Sequence, residues 1–173
     1  MNVIDAIKSR RSIRKFDSSK DVSDDQIEIL LESARWAPSA GNLQSWYFYI
    51  IRDKSIRRKL ALAALGQVFI TQAPVIIVSC ADQKRSGTRY GNRGKTLYSI
   101  QDATIATHNI WLTVTELGLG AAWVGAFSQN SVRRILKIPE NLQPIVIMPI
   151  GYPLVQPRST ARRKLQDIYT SVT

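Results

Sequence analysis

Apolar residues recur along this chain in two rhythms, one helical and one extended. Val3, Ile4 and Ile7 share one face of a short N-terminal helix. Ser23-Asp24-Asp25-Gln26 has the form of a capping box, with Ser23 as N-cap and Gln26 at the third helical position. Ile27, Leu30, Leu31 and Ala34 follow at the spacing of one buried face, and Pro38 ends that helix because the residue before a proline is pushed out of the helical region. Residues 47–51 then read as an apolar, aromatic strand, residues 55–65 as a helix closing at Gly66, and residues 74–81 as a continuous buried strand rich in β-branched side chains. Residues 97–117 form the longest helical pattern, apolar at nearly every turn, with Gly118 as its C-cap. A short strand in residues 120–127 gives way to small side chains, residues 131–136 form a helix that stops at Pro139, and residues 144–150 form a fourth apolar strand. This mixture predicts an α+β or α/β sandwich with helices laid over a sheet.

Residues 82–95 break both rhythms. Arg85, Arg89, Tyr90, Arg93 and Lys95 stand there among glycines, and a polar loop of that length commonly serves as a lid or binding loop. The 173 residues suffice for one domain with a sizeable core, and a single domain over residues 1–173 is expected. The formal net charge of +11 calls for an anionic partner: nucleic acid, a membrane surface, or a phosphorylated cofactor or substrate. No apolar stretch approaches the roughly 20 residues a bilayer span requires, and no leader is visible, so a cytoplasmic protein is expected. Cys80, the only cysteine, lies inside an apolar run and reads as packing in a reducing compartment. The only histidine, His108, lies in the long helix and reads as a core or interface residue.

The chemistry concentrates in three stretches. Lys8-Ser9-Arg10-Arg11-Ser12-Ile13-Arg14-Lys15-Phe16 places five cations in nine residues. Arg10, Arg11, Arg14 and the Ser12 hydroxyl are a donor set suited to a phosphate, although a charge run on its own is more often a solvated face. Pro38-Ser39-Ala40-Gly41-Asn42-Leu43-Gln44 is either an ordinary helix-to-strand connection or a loop whose Ser39, Asn42 and Gln44 hydrogen-bond a polar heterocycle. Gly125 and Ala126 leave backbone with almost nothing in front of it, so a ligand can approach the N–H groups. A second basic set, Arg158, Arg162, Arg163 and Lys164, lies in the tail.

Four of these segments together resemble the nitroreductase family of flavin-mononucleotide enzymes: Arg-Arg-Ser-Ile-Arg, Ala-Pro-Ser-Ala-Gly-Asn-Leu-Gln-Ser-Trp, Leu-Gly-Leu-Gly-Ala-Ala-Trp-Val-Gly and Ile-Gly-Tyr-Pro, in that order over residues 3–168. The resemblance implies a mainly antiparallel sheet flanked by helices and a homodimer with FMN at its interface. It also implies ping-pong electron transfer from NADH or NADPH to nitroaromatic, quinone or similar small-molecule acceptors. By the same resemblance, Arg10, Arg11, Ser12 and Arg14 hold the phosphate and ribityl chain, with Arg162, Arg163 or Lys164 as the second arm and Arg162 the best match. Pro38, Ser39, Ala40, Asn42 and Gln44 reach the flavin from the other subunit, and Val124, Gly125 and Ala126 supply backbone to its reactive edge. No side chain is implied as a catalytic acid, base or nucleophile, and no metal. Many members carry a glutamate before the glycine at that edge, where this chain has Gly125 before Ala126. A same-fold enzyme that fragments flavin or removes halide is the first alternative. A basic nucleic-acid module is the second, weakened because Trp36, Trp46, Trp111 and Trp123 lie in or beside apolar segments rather than among the cations.

Overall fold

Strand β2 (Val75–Asp82) sets the layering, because its residues from Val75 to Ala81 are all buried. Val75 and Ile77 enter one apolar cluster, while Ile76, Val78 and Cys80 enter another on the opposite face. A strand buried on both sides needs a helical layer on each. In the computed structural model, which describes residues 1–172, β2 lies between β1 (Trp46–Ile51) and β4 (Leu142–Gly151), and β3 (Gly120–Ala121) pairs with the far side of β4. Every pairing is antiparallel, and the β2–β4 register slips at Ser79/Cys80. The slip lies opposite Pro144, which has no N–H to give the ladder.

One face is covered by α2 (Asp24–Arg35) and α5 (Ser99–Glu116), whose Leu30, Ala34, Ala106, Ile110 and Val114 join Val75, Ile77, Met148 and Ile150. The other is covered by α3 (Lys54–Ala63) and α6 (Gln129–Leu136) through Leu60, Ala61 and Val132 against Ile76, Val78 and Ile147. Each fully buried leucine of this kind contributes about 1.5–3 kcal/mol of transfer free energy. Helix α1 (Val3–Ser9) rests on α5, burying Ala6 and leaving Val3, Ile4 and Ile7 exposed. The chain therefore has the expected α+β architecture, an antiparallel sheet between helical layers. The capping box is also present, with Ser23 Oγ accepting from Gln26 N and Gln26 Oε1 from Ser23 N.

Residues 82–95 are not the expected loop. They form α4 (Gln83–Arg93), started by the Asp82 side chain accepting from Arg85 N at 3.0 Å, then a bend at Gly91 (φ 55°) and a π-turn, Gly94–Tyr98, that leads into α5. The helix was hidden because it buries one polar side chain, Ser86, and no apolar stripe. Its glycines signalled a loop, but Gly94 is required by contact: a Cβ there would lie 2.4 Å from the Ser86 carbonyl oxygen. For the same reason α5 begins at Ser99 rather than Leu97. The strand expected over residues 120–127 is reduced to two residues plus an isolated bridge from Val124 to Ile147. Among the described residues no helix is long and apolar enough to cross a membrane.

Candidate functional site

After α1 the chain runs extended. Ser12 makes a parallel bridge to Ala121, with Ile13 N donating to Ala121 O at 2.8 Å, and Phe16 bridges Pro153. Ile13 and Phe16 are buried, which holds this segment against the protein and leaves Arg10, Arg11 and Arg14 toward its surface. Gly120 makes the approach possible, since a Cβ there would meet Ile13 Cγ1 at 2.5 Å.

Arg10, Arg11, Ser12 and Arg14 line a cavity of about 300 Å³ together with Pro157, Arg158, Thr160 and Arg162. Two basic stretches some 150 residues apart in sequence thus face one space. Arg163 turns away to the Asp167 carbonyl, so of the three tail candidates it is Arg162 that reaches the cavity. Five guanidinium groups line it and, among the described residues, no carboxylate. Partial burial, and then the charges of Arg162 and Arg11, lower the Arg10 pKa. The Arg10 guanidinium lies 4.3 Å from the centre of the Trp111 ring, a cation–π contact, and Trp111 stacks on Trp123 at 5.8 Å. Such an arrangement concentrates positive charge with no counter-charge among the described residues, the electrostatics that suits an anion.

Trp123 leads into the backbone of interest. Val124 is buried and exchanges both backbone hydrogen bonds with Ile147, whereas Gly125 and Ala126 are exposed. Neither the Gly125 nor the Ala126 N–H finds an acceptor among the described residues, and a Cβ on Gly125 would have only Trp123 Nε1 nearby, at 3.9 Å. The open backbone and the cation cavity are thus linked through Trp123, Trp111 and Arg10.

The loop of residues 38–44 is built separately. Gly41, Asn42 and Gln44 have positive φ of 56°, 56° and 52°, with Ser39 Oγ accepting from Gln44 N at 2.9 Å. The anchor is Asp102 on α5, which the sequence reading missed. Its buried carboxyl group accepts from Ala40 N at 3.0 Å and from Ser45 Oγ at 2.6 Å, pinning the loop at both ends. The available signal was that Asp102 is the one charged residue of α5 before its last residue, Glu116. Helix α4 adds a second clamp: Arg85 Nε donates to the Leu43 carbonyl, and Arg89 and Tyr90 fill the space over Gly41. Pro38, Ser39 and Ala40 line a cavity of about 510 Å³ with Tyr98, Asp102 and Ile105, and none of its lining is shared with the cation cavity. Asn42, Gln44 and residues 124–126 line neither.

Two other residues find their places. Cys80 is fully buried and its thiol is pushed up to about 12 by burial, which fits packing and not nucleophilic chemistry. His108 is exposed on α5, with its ring 6.5 Å from Trp111. It is no core residue, and partial burial followed by the nearby charge of Arg10 lowers its pKa.

The profile of the nitroreductase family matches residues 7–71 and 64–152. The chain belongs to the nitroreductase family. A Methanothermobacter thermautotrophicus relative, provisionally described as an NADH dehydrogenase/NAD(P)H nitroreductase, is 34% identical over 164 residues, covering 91% of this chain and 80% of its own. An FMN reductase [NAD(P)H] of Bacillus subtilis is 29% identical over 164 residues, covering 87% of this chain and 66% of its own. The NADPH:FMN oxidoreductase from Vibrio harveyi, solved in complex with NAD+, superposes with a TM-score of 0.91 at 27% identity, over 100% of this chain and 78% of that one. The cation cavity, the pinned loop and the open backbone of this nitroreductase-family chain are therefore carried on a fold shared along its whole length.

Asp102→Ala strips the half-buried Ala40 N–H and the buried Ser45 hydroxyl of their acceptor. Charge-assisted hydrogen bonds of this kind lead us to expect a loss of about 2–4 kcal/mol in urea denaturation, with Asp102→Asn losing roughly half as much. An unfolding midpoint unchanged in both variants would mean that the loop is held by something else.

Proposed function

We propose that the chain is an FMN-dependent oxidoreductase of nitroreductase type, taking electrons from NAD(P)H and passing them to nitroaromatic, quinone or similar small-molecule acceptors. The observation that carries this reading is the acid-free cavity formed by Arg10, Arg11, Ser12, Arg14 and Arg162, beside open backbone at Gly125 and Ala126. A flavin mononucleotide has the chemistry this set asks for: a phosphate for the guanidinium groups and a ring edge with acceptors for backbone N–H. When bound, the flavin supplies the redox chemistry, and the chain binds and orients it.

Roles then follow from position. Arg10, Arg11, Arg14 and Arg162 hold the phosphate, with Ser12 adding a hydroxyl. Val124, held by Ile147, fixes the height of the strand end so that Gly125 and Ala126 present N–H groups without a titratable side chain. Pro38, Ser39, Ala40, Asn42 and Gln44 belong to the site of the partner subunit in a homodimer. Two features support the dimer. The loop and the cation cavity are separate within one protomer, and Val3, Ile4, Ile7, Trp36, Leu165, Ile168 and Tyr169 are apolar yet exposed. The whole chain acts as one flavin-binding domain, and the cytoplasm, rich in NAD(P)H, is the compartment that suits it.

The purified protein is expected to be yellow, with one noncovalent FMN per chain. Arg10→Ala should weaken FMN binding by about 1.5–3 kcal/mol, the scale of one charge-assisted hydrogen bond, as read by quenching of flavin fluorescence. A colourless protein that takes up no added FMN would refute the assignment. Because donor and acceptor would use one open face in turn, steady-state kinetics should be ping-pong. His108→Gln should keep the rate of flavin reduction in stopped flow within a few fold. A drop of about a hundredfold with FMN content unchanged is the scale of a lost general acid or base and would place His108 in the chemistry.

A further inference from the structure

A second concentration of cations lies outside the nitroreductase site. The turn before α2, the start of α3 and the segment before β2 enclose a cavity of about 440 Å³, lined by Lys20, Arg52, Lys54, Arg57 and Arg58 against one acid, Asp21. It shares no lining residue with the Arg10 cavity.

The acid is already used. Arg52 bonds Asp21 Oδ1 at 3.2 Å, Asp24 Oδ1 at 2.8 Å and the Val22 carbonyl at 2.8 Å. Lys20 has a long contact to Asp17, at 3.8 Å, and lies 5.5 Å from the centre of the Tyr152 ring. Lys54 and Arg58 have no hydrogen-bonding or ion-pair partner among the described residues. Arg57 is the decisive residue, being only 7% exposed. Its Nη1 donates to the Thr71 carbonyl at 3.0 Å and to the Ala73 carbonyl, but its buried Nε has no partner. No carboxylate lies within ion-pair distance of it among the described residues. Burial lowers its pKa, and Asp21 and Asp53 oppose that only through space. A buried guanidinium with no counter-charge is unfavourable by itself, and an anion in the adjoining cavity supplies that charge.

We infer that this cavity is a second anion site, taking a small soluble phosphorylated ligand on Arg57, Arg58 and Lys54. The cavity is larger than a single phosphate and falls within the range of small-molecule sites, roughly 300–1,000 Å³. A phosphate ester or a pyrophosphate group therefore suits it better than a bare monovalent ion. The Ser18 hydroxyl, also in the lining, can donate a neutral hydrogen bond beside the charged ones.

The test uses pyrophosphate as the probe, by titration calorimetry at fixed ionic strength. The full chain carrying Arg10→Ala and Arg162→Ala weakens competition from the first cavity, where Arg11, Arg14 and Arg158 remain and are common to every variant compared. This protein should still bind pyrophosphate saturably, near one per chain. Adding Lys54→Gln and Arg58→Gln, both exposed and outside the core, should weaken that binding by about tenfold or more, since each cation removed takes a charge-assisted hydrogen bond with it. Circular dichroism should be unchanged, so the loss would report binding and not unfolding. Absence of binding in the Arg10→Ala/Arg162→Ala protein, or binding that Lys54→Gln and Arg58→Gln leave intact, would overturn the inference.

Discussion

The backbone hydrogen bond from Ile13 N–H to the Ala121 carbonyl, 2.8 Å long, positions the N-terminal cations. It hooks the segment after α1 onto the short strand β3, next to the turn that carries Trp123, Gly125 and Ala126. Gly120 is what lets Ile13 come so close, and Ile13 and Phe16 bury themselves on either side of the hook. Arg10 and Arg11 before Ile13, and Arg14 after it, are thereby placed at the end of the sheet. Without this contact the basic stretch would be a solvated tail and the open backbone a plain strand end.

The second constraint is electrostatic. Within the first cavity the chain places five guanidinium groups without an acid, and in a chain of net charge +11 there is little elsewhere to offset them. Held together they repel, which weakens the folded state until an anion arrives. Stability and cofactor binding are then coupled: a ligand that binds only the folded chain adds about 2.7 kcal/mol at one hundred times its dissociation constant. Trp111 softens the repulsion by giving Arg10 an aromatic face, and Asp102 pins the 38–44 loop through Ala40 N and Ser45 Oγ.

The layers of the fold were legible because each strand and helix that covers the sheet carries its own apolar rhythm. Leu30 and Ala34 at helical spacing, or Ile76 and Ile77 on alternate faces of one strand, can be read without coordinates. Helix α4 was not legible, since it binds to the rest of the chain through Arg85, Arg89 and Tyr90 and through close contact at Gly94, none of which leaves a periodic trace. The site divides in the same way. Cations and small residues mark Arg10–Arg14 and Gly125 in the sequence, and the family resemblance pairs the first set with Arg162. The union of Arg158 with Arg162 in one cavity, the Trp111–Trp123 stack and the Asp102 anchor are meetings in space, and a one-dimensional pattern does not contain them.

The central claim is that each flavin site is shared, with the cations of one chain and the 38–44 loop of its partner. Mixed dimers test it most directly. One chain carries Arg10→Ala, the other Asn42→Ala with Gln44→Ala, at an FMN concentration where neither parent dimer retains cofactor. A shared site puts both defects in one of the two sites and leaves the other intact. The mixed dimer should then hold about one FMN per two chains, with matching reductase activity. If every site were built within a single chain, each would carry one defect, and a mixed dimer as empty as its parents would contradict the account.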